Sequence, residues 1–151
     1  MFNPLTDCLN LASRRLARVS ARTYDRAMAD TGLKVTQFSV LTAVGHAQSH
    51  DLPLRDIADA IDMDQSSLTR AVGVFVRDGF VELNTGKDRR QKTARLTERG
   101  EALLEQATTA WRKAQTELYE IIGQEKLEDG RQNMHALRKK LSASNNHQVR
   151  N

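Results

Sequence analysis

The spacing of apolar residues changes period at Gly79, and that change confines the chain to a fold in which helices and a small hairpin share one core. Upstream, Leu54, Ile57, Ala58 and Ile61 lie at i, i+3, i+4 and i+7, one apolar stripe on a helix of about two turns. Asp62-Met63-Asp64 reads as a tight turn, and Asp64 or Gln65 opens a second helix to about Asp78. Downstream the alternation shortens. FVELN is a short strand, NTGKDRRQ a glycine-containing turn, and KTARL the returning strand. Thr97 then caps a further helix, with Glu98 at its positive end.

Two short helices joined by a turn of three or four residues form a helix-turn-helix, a weak signal alone because many helical domains contain such a pair. The faces of the second helix strengthen it. At about 100° per residue, Leu68, Val72 and Phe75 point one way with Val76 on the flank. Ser66, Arg70, Gly73 and Arg77 point almost opposite, with Ser67 and Thr69 on the margins. That outward face is small, hydroxylated and basic, where an ordinary solvated helix would mix Glu with Lys. Short polar side chains let a helix sit deep in the major groove of DNA, where hydroxyls, Gln and Arg reach base edges or phosphates.

The hairpin adds charge. Between Gly86 and Arg99 lie six basic residues (Lys87, Arg89, Arg90, Lys92, Arg95, Arg99) and two acidic ones (Asp88, Glu98), a local +4 that equals the net charge of all 151 residues. A charge run alone is as readily a solvated face. Following a helix-turn-helix, it makes the order of a winged helix, whose helix enters the major groove while the hairpin tip reaches phosphates or the adjacent minor groove. The competing reading is a helical protein-interaction module whose basic hairpin docks an acidic partner. The salt dependence of duplex DNA binding separates the two, since only the regulator should show a steep one.

The remainder of the chain reads as helix, with prolines only at positions 4 and 53. A long first helix is expected from about Leu5 to Asp30, with apolar positions at Leu5, Cys8, Ala12, Leu16, Val19, Ala27 and Met28, stopping at Gly32. Thr36 can cap a helix to about Ala47, with Phe38, Val40, Leu41 and Val44 inward. From Glu98 to about Ile122, Leu104, Ala107, Trp111, Ala114, Leu118 and Ile121 are spaced close to a heptad seam. A helix of that length is a rod of roughly 37 Å, longer than a small winged helix can cover. Its surplus apolar face calls for the first helix, a last helix holding Leu127, Met134, Leu137 and Leu141, and a second copy of the chain. The polar tail SASNNHQVRN is expected to be disordered. The expected fold class is therefore mainly α with a small β-hairpin wing. Residues 1–32 and 98–141 are expected as dimerisation helices, 33–97 as the winged helix-turn-helix, and 142–151 as the tail.

Other chemistries find little support. No apolar run reaches the roughly 20 residues needed to span a bilayer. Arg14 and Arg15 interrupt the N-terminal stretch before a secretory pattern develops, and the single cysteine suits a reducing cytoplasm. There is no glycine-rich phosphate loop, nucleophile elbow or paired carboxylate frame, so neither an enzyme nor a cofactor is expected. His46 and His50 have a metal-compatible spacing but no completing ligand set apart from the adjacent Asp51, and no metal is expected. Arg14, Arg18, Arg22 and Arg26 form an i+4 stripe, read as a solvated face with Asp25 and Asp30 as partners, or as a site for an anionic effector. Cys8, early in the first helix, is either a redox sensor favoured by unpaired N–H groups or a small buried hydrophobe. The absence of a basic residue at i+3 or i+4 favours packing.

The segments DRRQKTARLTERG (88–100) and IADAIDMDQSSLTRAVGVFVRDGFV (57–81) resemble the wing signature and helix-turn-helix of the multiple-antibiotic-resistance regulator (MarR) family. The resemblance covers about Leu5 to Leu141 in element order. It implies a cytoplasmic, homodimeric transcription regulator, most often a repressor on an inverted-repeat operator, released by a small-molecule effector or by oxidation of Cys8. It implies that Gln65, Ser66, Ser67, Thr69 and Arg70 face DNA and that Arg90 reaches into the minor groove while Asp88 braces it or the hairpin; Arg77 on the outward helix face and Lys87 and Arg89 in the basic hairpin are further expected DNA contacts. Family members dimerise through their first and last helices. Gly86-Lys87 stands where the family often has a proline before the wing Asp, which puts the seating of Arg90 in doubt.

Overall fold

The structure is a computed structural model and describes residues 2–50, 52–86 and 91–148. The elements follow in the order α1 (Leu9–Ala27), a single 3-10 turn (Ala29–Thr31), α2 (Val35–Gln48), α3 (Leu54–Ala60), α4 (Gln65–Arg77), β1 (Val81–Thr85), β2 (Lys92–Leu96), α5 (Glu98–Ile122) and α6 (Gln124–Gln148). Six helices and one antiparallel hairpin make the mainly α winged-helix architecture that the pattern predicts. The chain divides into two compact units, residues 1–112 and 113–151.

The first unit is built on one core. Leu41 and Val44 of α2, Ile57 of α3, and Leu68, Val72 and Phe75 of α4 are buried there. Val81, Ala94 and Leu96 of the hairpin and Ala107 of α5 join them. Burying each larger side chain stabilises the fold by about 1.5–3 kcal/mol, so this cluster orients α3, α4 and the hairpin together. Val81 pairs with Leu96 and Thr85 with Lys92 across the ladder. Gly86 N–H donates to the Gln91 carbonyl at 2.8 Å, and Leu96 N–H to the Gln48 side-chain oxygen at 2.8 Å.

Several boundaries differ from the sequence expectation. Helix α1 begins at Leu9 rather than Leu5, because residues 3–7 close a turn of their own. Asp7 N–H donates to the Asn3 carbonyl at 2.8 Å, and Asn3 N–H to the Asp7 carboxylate at 2.8 Å. Cys8 is consequently the N-cap, with its sulfur accepting from Leu11 N–H at 3.4 Å. No residue of α1 is buried, and of the apolar positions expected inward only Met28, just beyond the helix, enters the core. Helix α2 begins at Val35, so Thr36 lies inside it instead of capping it. Gln37 accepts from Lys34 N–H at 2.9 Å, and Asp25 of α1 accepts from Val35 N–H at 2.8 Å. Asp25 is thus a helix cap, and it also pairs with Lys34 at 3.5 Å.

In the second unit Ala114 and Leu118 are buried, while Ile121, Met134, Leu137 and Leu141 are exposed. The α5 seam is therefore largely enclosed within one chain. Ala107 is in the core, Leu104 and Trp111 pack against it, and Ile121 alone of the six seam residues is open, at 68% exposure. The segment 142–148 continues α6 instead of forming a disordered tail. It contains no Gly or Pro to stop a helix already under way, and propagation costs far less than nucleation.

Candidate nucleic-acid interface

The turn between α3 and α4 is set by residues that suit no other backbone role. Asp62 takes a left-handed conformation (φ 52°), which Asp tolerates better than bulkier residues, and Met63 N–H returns to the Ala58 carbonyl at 2.9 Å. Asp64 then caps α4, its carboxylate accepting from Ser67 N–H at 2.9 Å and from the Ser66 hydroxyl. The Ser66 hydroxyl, then Ser67, hold the Asp64 carboxyl well below the usual carboxylate range.

The capped helix presents Gln65, Ser66, Thr69, Arg70 and Gly73 to solvent. Nothing lies within 4 Å of the position a Cβ would occupy at Gly73, so no neighbouring group of the protein requires a glycine there. An exposed mid-helix glycine costs roughly 1 kcal/mol relative to alanine. Ser67 is half-buried, with its hydroxyl accepting from the Arg70 guanidinium at 3.2 Å, so it orients Arg70 instead of projecting outward. The Arg77 guanidinium donates to the neighbouring Asp78 carboxylate at 2.9 and 3.3 Å.

The hairpin is anchored beside this helix from both ends. Thr97 N–H donates to the Phe80 carbonyl at 3.0 Å, and its hydroxyl donates to the Gly79 carbonyl at 2.8 Å. The same hydroxyl accepts from Gly100 N–H at 3.1 Å, confirming Thr97 as the cap of α5. A Cβ at Gly100 would collide with the Phe80 carbonyl oxygen. At the other side, a β-bridge joins Pro53 to Thr93 and ties the start of α3 to β2 near its turn end. The four wing residues Lys87, Asp88, Arg89 and Arg90 lie outside the described residues.

Two concavities flank the helix-turn-helix. A notch of about 550 Å³ separates α4 from the turn end of the hairpin ladder, with Arg55, Asp56, Gln65, Thr69, Gln91 and Lys92 in its walls. Arg55, Gln91 and Lys92 stand beside α4 through the fold, not through local sequence. A second cavity, about 460 Å³, is mostly apolar, with Phe38, Thr42 and His46 of α2, Ile61 at the end of α3, and Trp111 of α5 among its lining. His46 and His50 stack at 5.1 Å between ring centroids, and no group of three or more metal-ligating side chains occurs among the described residues. No described helix is long and apolar enough to cross a membrane.

A sequence model of the MarR family matches residues 31–91. No curated protein sequence matches. Among solved structures, the Mycobacterium tuberculosis transcriptional regulator MosR in complex with DNA is 32% identical, with a TM-score of 0.79, over 91% of this chain and 98% of that one. The Staphylococcus aureus MepR–DNA complex, at 18% identity and TM-score 0.76 over 93% and 99% of the two chains, shares the fold. So does CouR from Rhodococcus jostii bound to p-coumaroyl-CoA, at 22% identity and TM-score 0.70 over 88% and 93%. With its helix-turn-helix, basic hairpin and near full-length likeness to MosR, this chain belongs to the MarR family, whose members are transcription regulators and not enzymes.

Proposed function

We propose that this chain is a sequence-specific DNA-binding regulator that acts as a homodimer on an inverted-repeat operator and represses transcription from it. The observation that carries the reading is the exposed face of α4, where Gln65, Ser66, Thr69 and Arg70 surround an unobstructed Gly73 with no acidic side chain among them. The crystallised MosR and MepR complexes, each with DNA, support it by likeness. Selection from a random duplex pool should recover an inverted repeat. Affinity for it should fall by orders of magnitude between 50 and 200 mM salt if about six phosphates are neutralised. Weak, salt-insensitive duplex binding would instead favour the interaction module with an acidic partner.

Release by a small molecule is the regulatory half of this reading. The apolar cavity suits a flat ligand, and one of its walls, Ile61, immediately precedes the Asp62 turn and the cap of α4. A ligand pressing on Ile61 acts on the element that aims the recognition helix. Trp111 is the only tryptophan in the chain. Small aromatic acids should therefore change its fluorescence at the concentrations that release DNA. Release with no change at Trp111 would place the effector elsewhere.

A further inference from the structure

We infer that Arg99 is a positioning residue for DNA recognition: it locks the C-terminal end of α4 onto the start of α5 and so fixes the angle at which the helix meets the duplex. The inference rests on the DNA-binding reading above and adds to it a residue that reads no base itself. In the sequence Arg99 closes the basic run 86–99 and counts towards its local positive charge. In the structure its guanidinium is committed within the protein. Nη1 donates to the Asp78 carbonyl at 3.4 Å, and Cζ stands 5.0 Å from the centre of the Phe80 ring. A Cβ at Gly79 would lie 3.0 Å from the same Nη1, so the guanidinium rests directly against the joint between α4 and β1.

That joint is where α4 would otherwise swing. Gly79 takes a left-handed conformation (φ 78°) and closes the helix, its N–H donating to the Val76 carbonyl at 3.1 Å and the Phe80 N–H to the Phe75 carbonyl at 2.9 Å. The next three carbonyls, of Asp78, Gly79 and Phe80, are all taken by the start of α5. Arg99 occupies the first, the Thr97 hydroxyl the second and the Thr97 N–H the third. A cation at that end also complements the negative pole of α4. Gln65, Ser66, Thr69 and Arg70 stand towards the opposite end, so the helix acts as a lever. Its 13 residues span roughly 20 Å, and a swing of about 5° at the joint would carry Gln65 by about 1.7 Å. Hydrogen-bond distances vary by only a few tenths of an ångström, so a swing of that size breaks contacts to base edges. Those contacts carry the sequence preference.

The test uses the full chain and two duplexes, the one recovered by selection and a scrambled version, with affinity measured by fluorescence anisotropy across a salt series. Arg99→Gln should lower the ratio of cognate to scrambled affinity about tenfold, the discrimination of one base contact. Its plot of log affinity against log salt should keep the wild-type slope, because Arg99 neutralises no phosphate. Arg99→Lys keeps a cation and a donor and should recover most of the ratio. Far-ultraviolet circular dichroism should be unaltered in both variants, because the side chain is exposed. A slope flatter by about one unit for every copy of the chain engaged would make Arg99 a phosphate contact and overturn the inference. A lowered melting temperature with an unchanged ratio would leave Arg99 a stabilising contact only and overturn it too. A lysine variant no better than the glutamine one would contradict the role given to the charge and the donor. A wild-type protein that prefers neither duplex overturns the DNA-binding reading beneath it, and the wild-type measurement alone separates that failure from one at Arg99.

Discussion

Gly100 admits no side chain, since the Phe80 carbonyl oxygen occupies the place of its Cβ. Gly100→Ala must push β1 away from the start of α5. We expect a loss of about 1–3 kcal/mol in denaturant unfolding, the scale of overpacking, and a neutral result would mean the contact relaxes freely. At Asp64 the depressed carboxyl makes the cap of α4 pH-dependent in a stated direction. Its folded-state titration lies below the ordinary 3.8, so the contribution of the charge is complete above that value and is lost as the pH falls beneath it. The difference in melting temperature between wild type and Asp64→Asn should be constant near neutrality and shrink below pH 3.8. A difference already shrinking near neutrality would assign the effect to another group. For recognition, Arg70→Ala and Arg90→Ala should each weaken cognate binding by roughly 1–3 kcal/mol without changing circular dichroism. Affinity within twofold of wild type would remove that residue from the interface. Cys8→Ser preserves a capping acceptor, and under the packing reading it leaves both DNA binding and any peroxide response unaltered. Release of DNA that tracks Cys8 oxidation, and that the serine variant abolishes, would make the cysteine a sensor.

The elements differ in how far local sequence determined them. Helix α5 was legible at both ends, because Thr97 supplies a cap and the apolar spacing persists to Ile122. Helix α4 was legible as well, from Asp64 at one end to Gly79 at the other. The start of α1 was not, because an Asn3–Asp7 turn competes with helix for the same backbone groups. The start of α2 depends on Asp25, ten residues earlier, a partner that no window of local pattern contains. The candidate site divided in the same way. Gln65, Ser66, Thr69 and Arg70 stand on one helix and could be found by periodicity. Arg55 and Lys92 are 37 positions apart and line one concavity through the packing of α3 beside the hairpin. Periodicity shows which way Ser67 and Arg77 point but not that Arg70 and Asp78 engage them.

At the scale of the molecule, apolar surface is left over. Leu16 and Val19 of α1 are 50% and 61% exposed, and Met134, Leu137 and Leu141 of α6 are open too. Such exposed apolar rows are the surface a second copy would cover in the expected contact through the first and last helices. Light scattering at micromolar concentration should return about twice the 17.0 kDa chain mass, and a monomer that still binds DNA would contradict this. A two-fold dimer sets two copies of α4 against one face of the duplex, about 34 Å apart, so that they enter successive major grooves. The most direct measurement is a footprint on the selected inverted repeat, with a series in which the half-sites are moved apart by five base pairs. The account predicts protection of both half-sites at centres about 10 base pairs apart, and loss of most of the affinity on insertion, because the added half-turn carries one site to the opposite side of the duplex. Equal affinity before and after the insertion would contradict it, since each subunit would then be binding alone.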